Sequence, residues 1–504
     1  MSGVSIRSAR TAIGGMVSIG LFGACAPKQG TSSTSPATPA TGGATAAAVV
    51  DLKTPPPLPP PPALKMPPIV TRELPNGLKI LVVEHHELPV ADFILLVRTG
   101  TEADSPDKSG LATLAASMLD EGTTTRNALQ IADQEAFLGV DVGTSSGWDA
   151  SSISLHTPTA QLDSALALFA DVALRPSFPA TDLERLRKDR LTELLQVRDR
   201  APVIADRAFA SIVYGTRHPY GRPTSGTEGT VTSITQGDVR RHYETYFRPN
   251  NATLIVVGAV KPDDIERRVR ALFGSWERRE VPPVAYAEAP KTGATTIYLI
   301  DKPGAPQSSF RIGTVGVPRA TRDYFALTLM NTVLGGSFTS RLNQNLRETK
   351  GYTYGAFSGF SMRRAAGPFT ARAEVVAAKS DSALLEFMRE LRAIRDTVPV
   401  DELMKAKRYL QLQMPSRFES TGDIASQLVP VVLYDLPLDF YNTYVQQIEN
   451  VTQADVQRVA TRYLDPANLA VVIVGDRQSI EAPLRGTQLG GVSLRNIEGQ
   501  AVQP

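Results

Sequence analysis

The chain repeats itself at one fixed separation, and that repeat limits its folds more than any local pattern does. Thr235-Gln236-Gly237-Asp238-Val239 returns as Thr452-Gln453-Ala454-Asp455-Val456. Pro249-Asn250-Asn251-Ala252-Thr253-Leu254-Ile255-Val256-Val257-Gly258 returns as Pro466-Ala467-Asn468-Leu469-Ala470-Val471-Val472-Ile473-Val474-Gly475. Asp238 and Asp455, Asn251 and Asn468, and Gly258 and Gly475 are each 217 positions apart. One register kept across a helix start and the apolar run after it means two copies of one fold. The boundary between them falls in 278–292, where prolines and glutamates gather. The expected division is 1–24 as a signal peptide, 25–68 as a linker, 69–285 and 286–480 as two homologous domains, and 481–504 as a disordered tail.

Within the first copy, the apolar runs 78–84 and 92–98 read as adjacent strands separated by a turn at 85–89, with a further strand at 151–156. Helical spacing marks 109–120, 128–138 and 162–174. The second copy matches with strands near 296–300, 308–315, 352–362 and 369–376. Such segregated blocks predict an α+β fold, each domain a largely antiparallel sheet with helices packed on one face. The strongest helix is 181–200. Thr181 and Glu184 have capping-box spacing there, and Leu183, Leu186, Leu191, Leu194 and Val197 supply its apolar stripe.

The start of the chain reads as an export signal. Arg7 and Arg10 precede a fourteen-residue apolar run, 11–24, too short to span a bilayer but suited to a secretory signal. Phe22-Gly23-Ala24-Cys25 resembles a bacterial lipobox, which would make Cys25 the lipidated first residue. Phe22 departs from the usual leucine, so simple cleavage after Ala26 stays open. Cys25 is the single cysteine, which excludes internal disulfides and thiol catalysis in the folded part. Residues 27–68 are too poor in apolar surface to fold and read as a tether whose proline half favours polyproline II. Losing Arg7 and Arg10 leaves 51 basic residues against 51 acidic, a balance that gives no support to nucleic-acid binding.

Chemistry enters at 109–123, SGLATLAASMLDEGT. Thr113, Ala116 and Ser117 share one helix face, being at i, i+3 and i+4. The frame G-L-A-x-x-x-x-x-M-L-x-x-G-T, from Gly110 to Thr123, resembles the pitrilysin/insulinase family of zinc peptidases, whose marker is H-x-x-E-H. The resemblance implies two zinc-binding histidines at 113 and 117 and a water-activating glutamate at 116. This chain has Thr113, Ser117 and Ala116 there, so no catalytic residue and no metal ligand is expected from this helix. The family's third ligand corresponds to Glu193, in the run Lys188-Asp189-Arg190-Leu191-Thr192-Glu193-Leu194. One carboxylate does not retain zinc, and a surface glutamate paired with Arg190 or Arg200 is the expected state. The five histidines, His85, His86, His156, His218 and His242, offer no substitute site.

The second copy keeps what the first lacks. Leu334-Gly335-Gly336-Ser337-Phe338-Thr339-Ser340-Arg341-Leu342 leads to Leu346-Arg347-Glu348-Thr349-Lys350-Gly351-Tyr352-Thr353-Tyr354-Gly355. Ser337 can cap the helix and Gly351 can end it. Arg347 then stands at a helix end and Tyr354, seven residues on, upon the next strand. The run is similar to the family's substrate-binding motif, so Arg347 and Tyr354 are the expected peptide-binding residues. A guanidinium offers a planar fork of donors to peptide carbonyls, and a tyrosine hydroxyl can donate to a developing oxyanion.

The resemblance implies a half-clamshell of two facing domains, and some family members work as two chains. The leading expectation is a non-catalytic subunit of a two-chain zinc metallopeptidase. It would bind no cofactor itself and supply Arg347 and Tyr354 to a homologous partner that carries Zn and the general base. Its other contacts would be a peptide substrate and, through the lipid anchor alone, the periplasmic side of the bacterial outer membrane. Two alternatives stay open: a peptide-binding or scaffold pseudopeptidase without hydrolytic role, and a stand-alone metallopeptidase with an atypical site.

Overall fold

The computed structural model describes residues 66–290 and 293–502. The expected signal, Cys25 and the linker up to residue 65 lie outside the described residues. The first sheet holds β1 (Ile69–Glu73), β2 (Lys79–Glu84), β3 (Val90–Val97), β4 (Asp141–Ser146), β5 (Ser151–Pro158) and β6 (Ala252–Gly258). Their spatial order is β1-β2-β6-β3-β5-β4, with β2 and β6 parallel and the other pairs antiparallel. The second sheet holds β7 (Thr296–Asp301), β8 (Gln307–Val315), β9 (Thr353–Phe360), β10 (Pro368–Val376), β11 (Ala470–Gly475) and β12 (Gly491–Arg495). Its order is β12-β7-β11-β8-β10-β9, β7 being parallel to β11 and β12 and the rest antiparallel. Two mixed, mainly antiparallel sheets with packed helices are the expected α+β fold in two copies.

The repeated pieces sit in matching places. Thr235 and Thr452 cap the helices Gln236–Tyr246 and Gln453–Tyr463, each in a reciprocal box with the aspartate three residues on. The apolar run that follows becomes β6 in one copy and β11 in the other, buried at every position. A strand with no solvent-tolerant residue takes the middle of a sheet, and that overturns one expectation. The runs 78–84 and 92–98 are not adjacent, because β6 lies between β2 and β3 and pairs with both.

Two further expectations need correction. The capping box at Thr181 does not form: the helix starts at Ala180 behind Pro179, without a side-chain cap. Proline already fixes the entering backbone, which leaves Thr181 inside the first turn. Residues 481–502 are not a disordered tail, since the Arg477–Gly486 helix leads to β12, which extends the sheet beside β7. Asn496 then closes a turn by accepting from the backbone N–H of Glu498 and Gln500. In the first domain the same edge is taken by β1, from the opposite end of the domain and antiparallel to its neighbour.

Helices cover both faces of each sheet rather than the single face expected, because the second face is served by the other half of the chain. Phe93, Leu95, Leu254 and Val256 pack into the first domain's own core. The alternate residues Val83, Ile255 and Val257 point the opposite way, against Ile424, Ala425 and Leu428 of the helix Thr421–Leu433. In return the helix Ala201–Tyr214 places Ile204, Ala205 and Ala208 against Ile300, Val472 and Val474 of the second sheet. Each large apolar side chain so buried contributes roughly 1.5–3 kcal/mol. Polar ties reinforce the exchange. The buried Arg311 of β8 reaches Asp206 at 2.5 Å, and buried Asp149 accepts from the Tyr220 hydroxyl at 2.7 Å and the Arg364 backbone N–H at 2.7 Å. No helix among the described residues is long and apolar enough to cross a membrane.

Candidate functional site

The helix Leu111–Ser117 begins at Gly110, whose φ of 94° suits glycine. Its exposed N–H groups are met by Asp104, whose carboxylate accepts from Gly110 at 2.9 Å and Ala112 at 3.0 Å. Burial outweighs those bonds and pushes the Asp104 carboxyl up to about 7. Glu102 next to it, buried with Oε1 unpartnered, is pushed up to about 8. Thr113 and Ser117 turn their hydroxyls onto local backbone: Thr113 Oγ1 is 2.9 Å from the Thr224 carbonyl, and Ser117 Oγ donates to the Thr113 carbonyl at 3.0 Å. Ala116 is buried.

Arg190 approaches this helix at Thr113. Its Nη1 donates to Thr113 Oγ1 at 3.2 Å, and its Nε lies 3.3 Å from Glu193 Oε2. The guanidinium side chain is 17% exposed, against 68% for Glu193. Two hydroxyls, a methyl group and a fixed cation do not fit zinc, which needs imidazole, thiolate or carboxylate donors. Among the described residues no three His, Cys, Asp or Glu side chains converge as a metal site requires. The histidines are dispersed. His156 pairs with Asp92 and His86 with Glu84, His218 accepts from the Tyr220 backbone N–H, and burial pushes His242 down to about 4.

In the second domain the glycine-rich turn and the following helix build a different surface. Gly335 passes so close to β9 that a Cβ there would lie 2.5 Å from the Ser358 backbone nitrogen. Ser337 donates to the Thr332 carbonyl, so the cap expected of it goes instead to the end of the preceding helix. Arg347 lies on the π-helical turn Gln344–Thr349, with its Cζ 4.5 Å over the Phe338 ring. Such wide turns inside helices recur at functional sites. Gly351, at φ 65°, ends the turn by donating to the Arg347 carbonyl. Tyr354 follows on β9, the outer strand of its sheet. The register shifts between Ala373 and Val375, so Tyr354 and Gly355 lie opposite one residue of β10, and a bulge of this kind re-aims side chains. Tyr354 is 90% exposed.

The structure therefore places Arg347 and Tyr354 on either side of one turn, both reachable from solvent, with no hydrogen bond between them. None of the bonds around Thr113, Ser117 and Glu193 reaches that pair.

Two stretches match models of one peptidase family: 79–228 fits "Insulinase (Peptidase family M16)" and 233–410 fits "Peptidase M16 inactive domain". The chain belongs to the M16 family. An uncharacterized zinc protease of Mycobacterium bovis is 26% identical over 424 residues, covering 82% of this chain and 95% of its own. The corresponding Bacillus subtilis protein is 25% identical over 354 residues, covering 70% and 85%. Among solved structures, a peptidase M16 inactive domain from Pseudomonas fluorescens superposes with a TM-score of 0.76 at 27% identity, over 81% of this chain and 98% of its own. A Helicobacter pylori protease, at 22% identity and a TM-score of 0.76 over 82% and 100%, shows the same fold.

The contacts of three M16 side chains, two at the Arg347 turn and one at Thr113, were not foreseen from the sequence. Phe338 carries the Arg347 guanidinium. Asn343, fully buried, donates to the Phe338 carbonyl at 2.7 Å and accepts from the Ala356 N–H at 3.1 Å, which ties the turn to β9. Arg190 contacts Thr113 from 77 positions away. A buried asparagine has no periodic signature, and long-range pairs leave no mark in a single sequence.

Proposed function

We propose that this M16 chain is the non-catalytic subunit of a two-chain zinc peptidase. Arg347 and Tyr354 would bind the substrate backbone, and a homologous partner would supply metal and general base. The observation that carries the reading is the contrast between the halves: Arg190 bonds to Thr113 on the helix Leu111–Ser117, while Tyr354 is exposed and Arg347, stacked on Phe338 and 3.5 Å from Glu348, is partly exposed on a supported turn. Arg347 offers its fork of N–H donors to a peptide carbonyl, and the Tyr354 hydroxyl donates to charge developing on a carbonyl oxygen. Each such donor typically contributes about 3 kcal/mol to transition-state binding. The export signal and Cys25 belong to the same proposal, as the lipid anchor of a chain on the periplasmic side of the outer membrane.

The test is co-purification with an H-x-x-E-H partner from the same cells, followed by peptide turnover with Arg347→Ala. The variant should still pair with the partner and lower turnover by about tenfold or more. Pairing with unchanged turnover would leave the scaffold reading. Zinc and chelator-sensitive turnover in the isolated chain would leave the stand-alone one.

A further inference from the structure

A cavity of about 500 Å³ opens between the helices Ala180–Val197 and Ala201–Tyr214, the loop 216–223 and the turn that follows β12. Its walls include Leu194, Val197, Ile204 and Ile497, and four arginines, Arg198, Arg207, Arg217 and Arg222, also line it against two glutamates, Glu228 and Glu498. The volume lies in the range of small-molecule sites. None of its lining residues is Thr113, Ala116, Ser117, Glu193, Arg347 or Tyr354.

The charge in this cavity is unbalanced. Arg198 is neutralised at 2.8 Å by Glu228. Arg207 donates to the Ser225 hydroxyl at 2.8 Å, and no carboxylate among the described residues pairs with it or with Arg217. Burial first, then the nearby Arg200 and Arg190, pushes the Arg207 guanidinium below its ordinary value, as expected of a cation short of counter-charge. A half-buried guanidinium without a carboxylate is costly unless an anion joins it.

The walls are built rather than incidental. Arg222 donates to the Arg217 carbonyl at 3.1 Å and the Asp104 carbonyl at 2.6 Å, which fixes the loop. On the opposite side Gly499, at φ 80°, packs so closely on Ala208 that a Cβ would stand 3.1 Å from its Cα. That contact seats the turn carrying Ile497 against the helix Ala201–Tyr214.

We infer that this cavity binds an organic carboxylate with an apolar body, its charge held by Arg207 with Arg217 nearby and its body against Leu194, Val197, Ile204 and Ile497. Two sources share that chemistry, a fatty acid and the free C-terminus of an apolar peptide.

The test is titration calorimetry on the full chain with decanoate and with acetyl-dileucine carrying a free carboxylate, beside decanol and the acetyl-dileucine amide as neutral counterparts. Saturable one-to-one binding of a carboxylate probe is expected, at least tenfold tighter than its neutral counterpart. Arg207→Ala should weaken it tenfold or more, Arg207→Lys less, and Ile204→Trp, which fills the cavity, should abolish it. The tighter of the two carboxylates names the source. No saturable binding of either probe, equal binding of charged and neutral forms, or binding unchanged in a folded Arg207→Ala chain would overturn the inference. The wild-type comparison stands even where a variant fails to fold, and no step requires a peptidase partner.

Discussion

The Arg190 guanidinium donates to the Thr113 hydroxyl across 3.2 Å, on the helix face that the sequence resemblance sets against the zinc motif H-x-x-E-H. A positive group fixed there opposes a divalent cation whatever ligands surround it.

Restoring the motif is therefore expected to be insufficient by itself. The triple variant Thr113→His, Ala116→Glu, Ser117→His should bind Zn²⁺ weakly, and adding Arg190→Leu should tighten binding by about tenfold or more, the effect of one like charge at contact distance. Competition against a chromophoric chelator measures both. Equal affinity in the triple and quadruple variants would show that Arg190 does not guard the face.

Asn343 is expected to matter more for stability than its neutral side chain suggests. Asn343→Ala leaves the buried Ala356 N–H and the Phe338 carbonyl without their partners. An orphaned buried group costs about 1–3 kcal/mol. The urea midpoint should fall accordingly, and on the proposed two-chain reading peptide turnover should fall with it, since the turn under Arg347 loosens. A variant as stable as wild type would contradict the assignment.

Stability should decline as pH rises above neutrality. Glu102, with an ordinary value of 4.5, holds its proton in the native chain up to about 8, and Asp104, ordinarily 3.8, up to about 7. Between those limits the native state binds more protons than the unfolded one, so raising the pH favours unfolding. His242 works in the other direction, but within a lower window, from 6.5 down to about 4. Urea midpoints should thus drop from pH 6.5 to about 8 and then level, with Glu102 alone contributing on the order of 2 kcal/mol across that span. Glu102→Gln should remove its share of the slope. A midpoint that climbs with pH in both proteins would refute the account.

Much of this molecule was legible in its residues because the relevant forces are local. The two helix starts at Thr235 and Thr452 are set by side chains three residues apart, and the buried strands after them by unbroken apolar runs. The M16 frame around 110–123 was equally plain, since it depends on a short, glycine-punctuated segment. Less visible was the edge strand 491–495, whose five residues pair along their length with β7.

What tertiary structure alone decided is which surfaces meet. Nothing in the run 201–214 says that it covers the second sheet, or in 421–433 that it covers the first, because an apolar stripe specifies that a face must be buried and not against what. The same holds for Arg190 at Thr113 and for the cavity around Arg207. The sequence by itself determined many of the elements, the duplication and the family. The exchange of helices, and the placing of unpaired charge, came from long-range packing that no local pattern encodes.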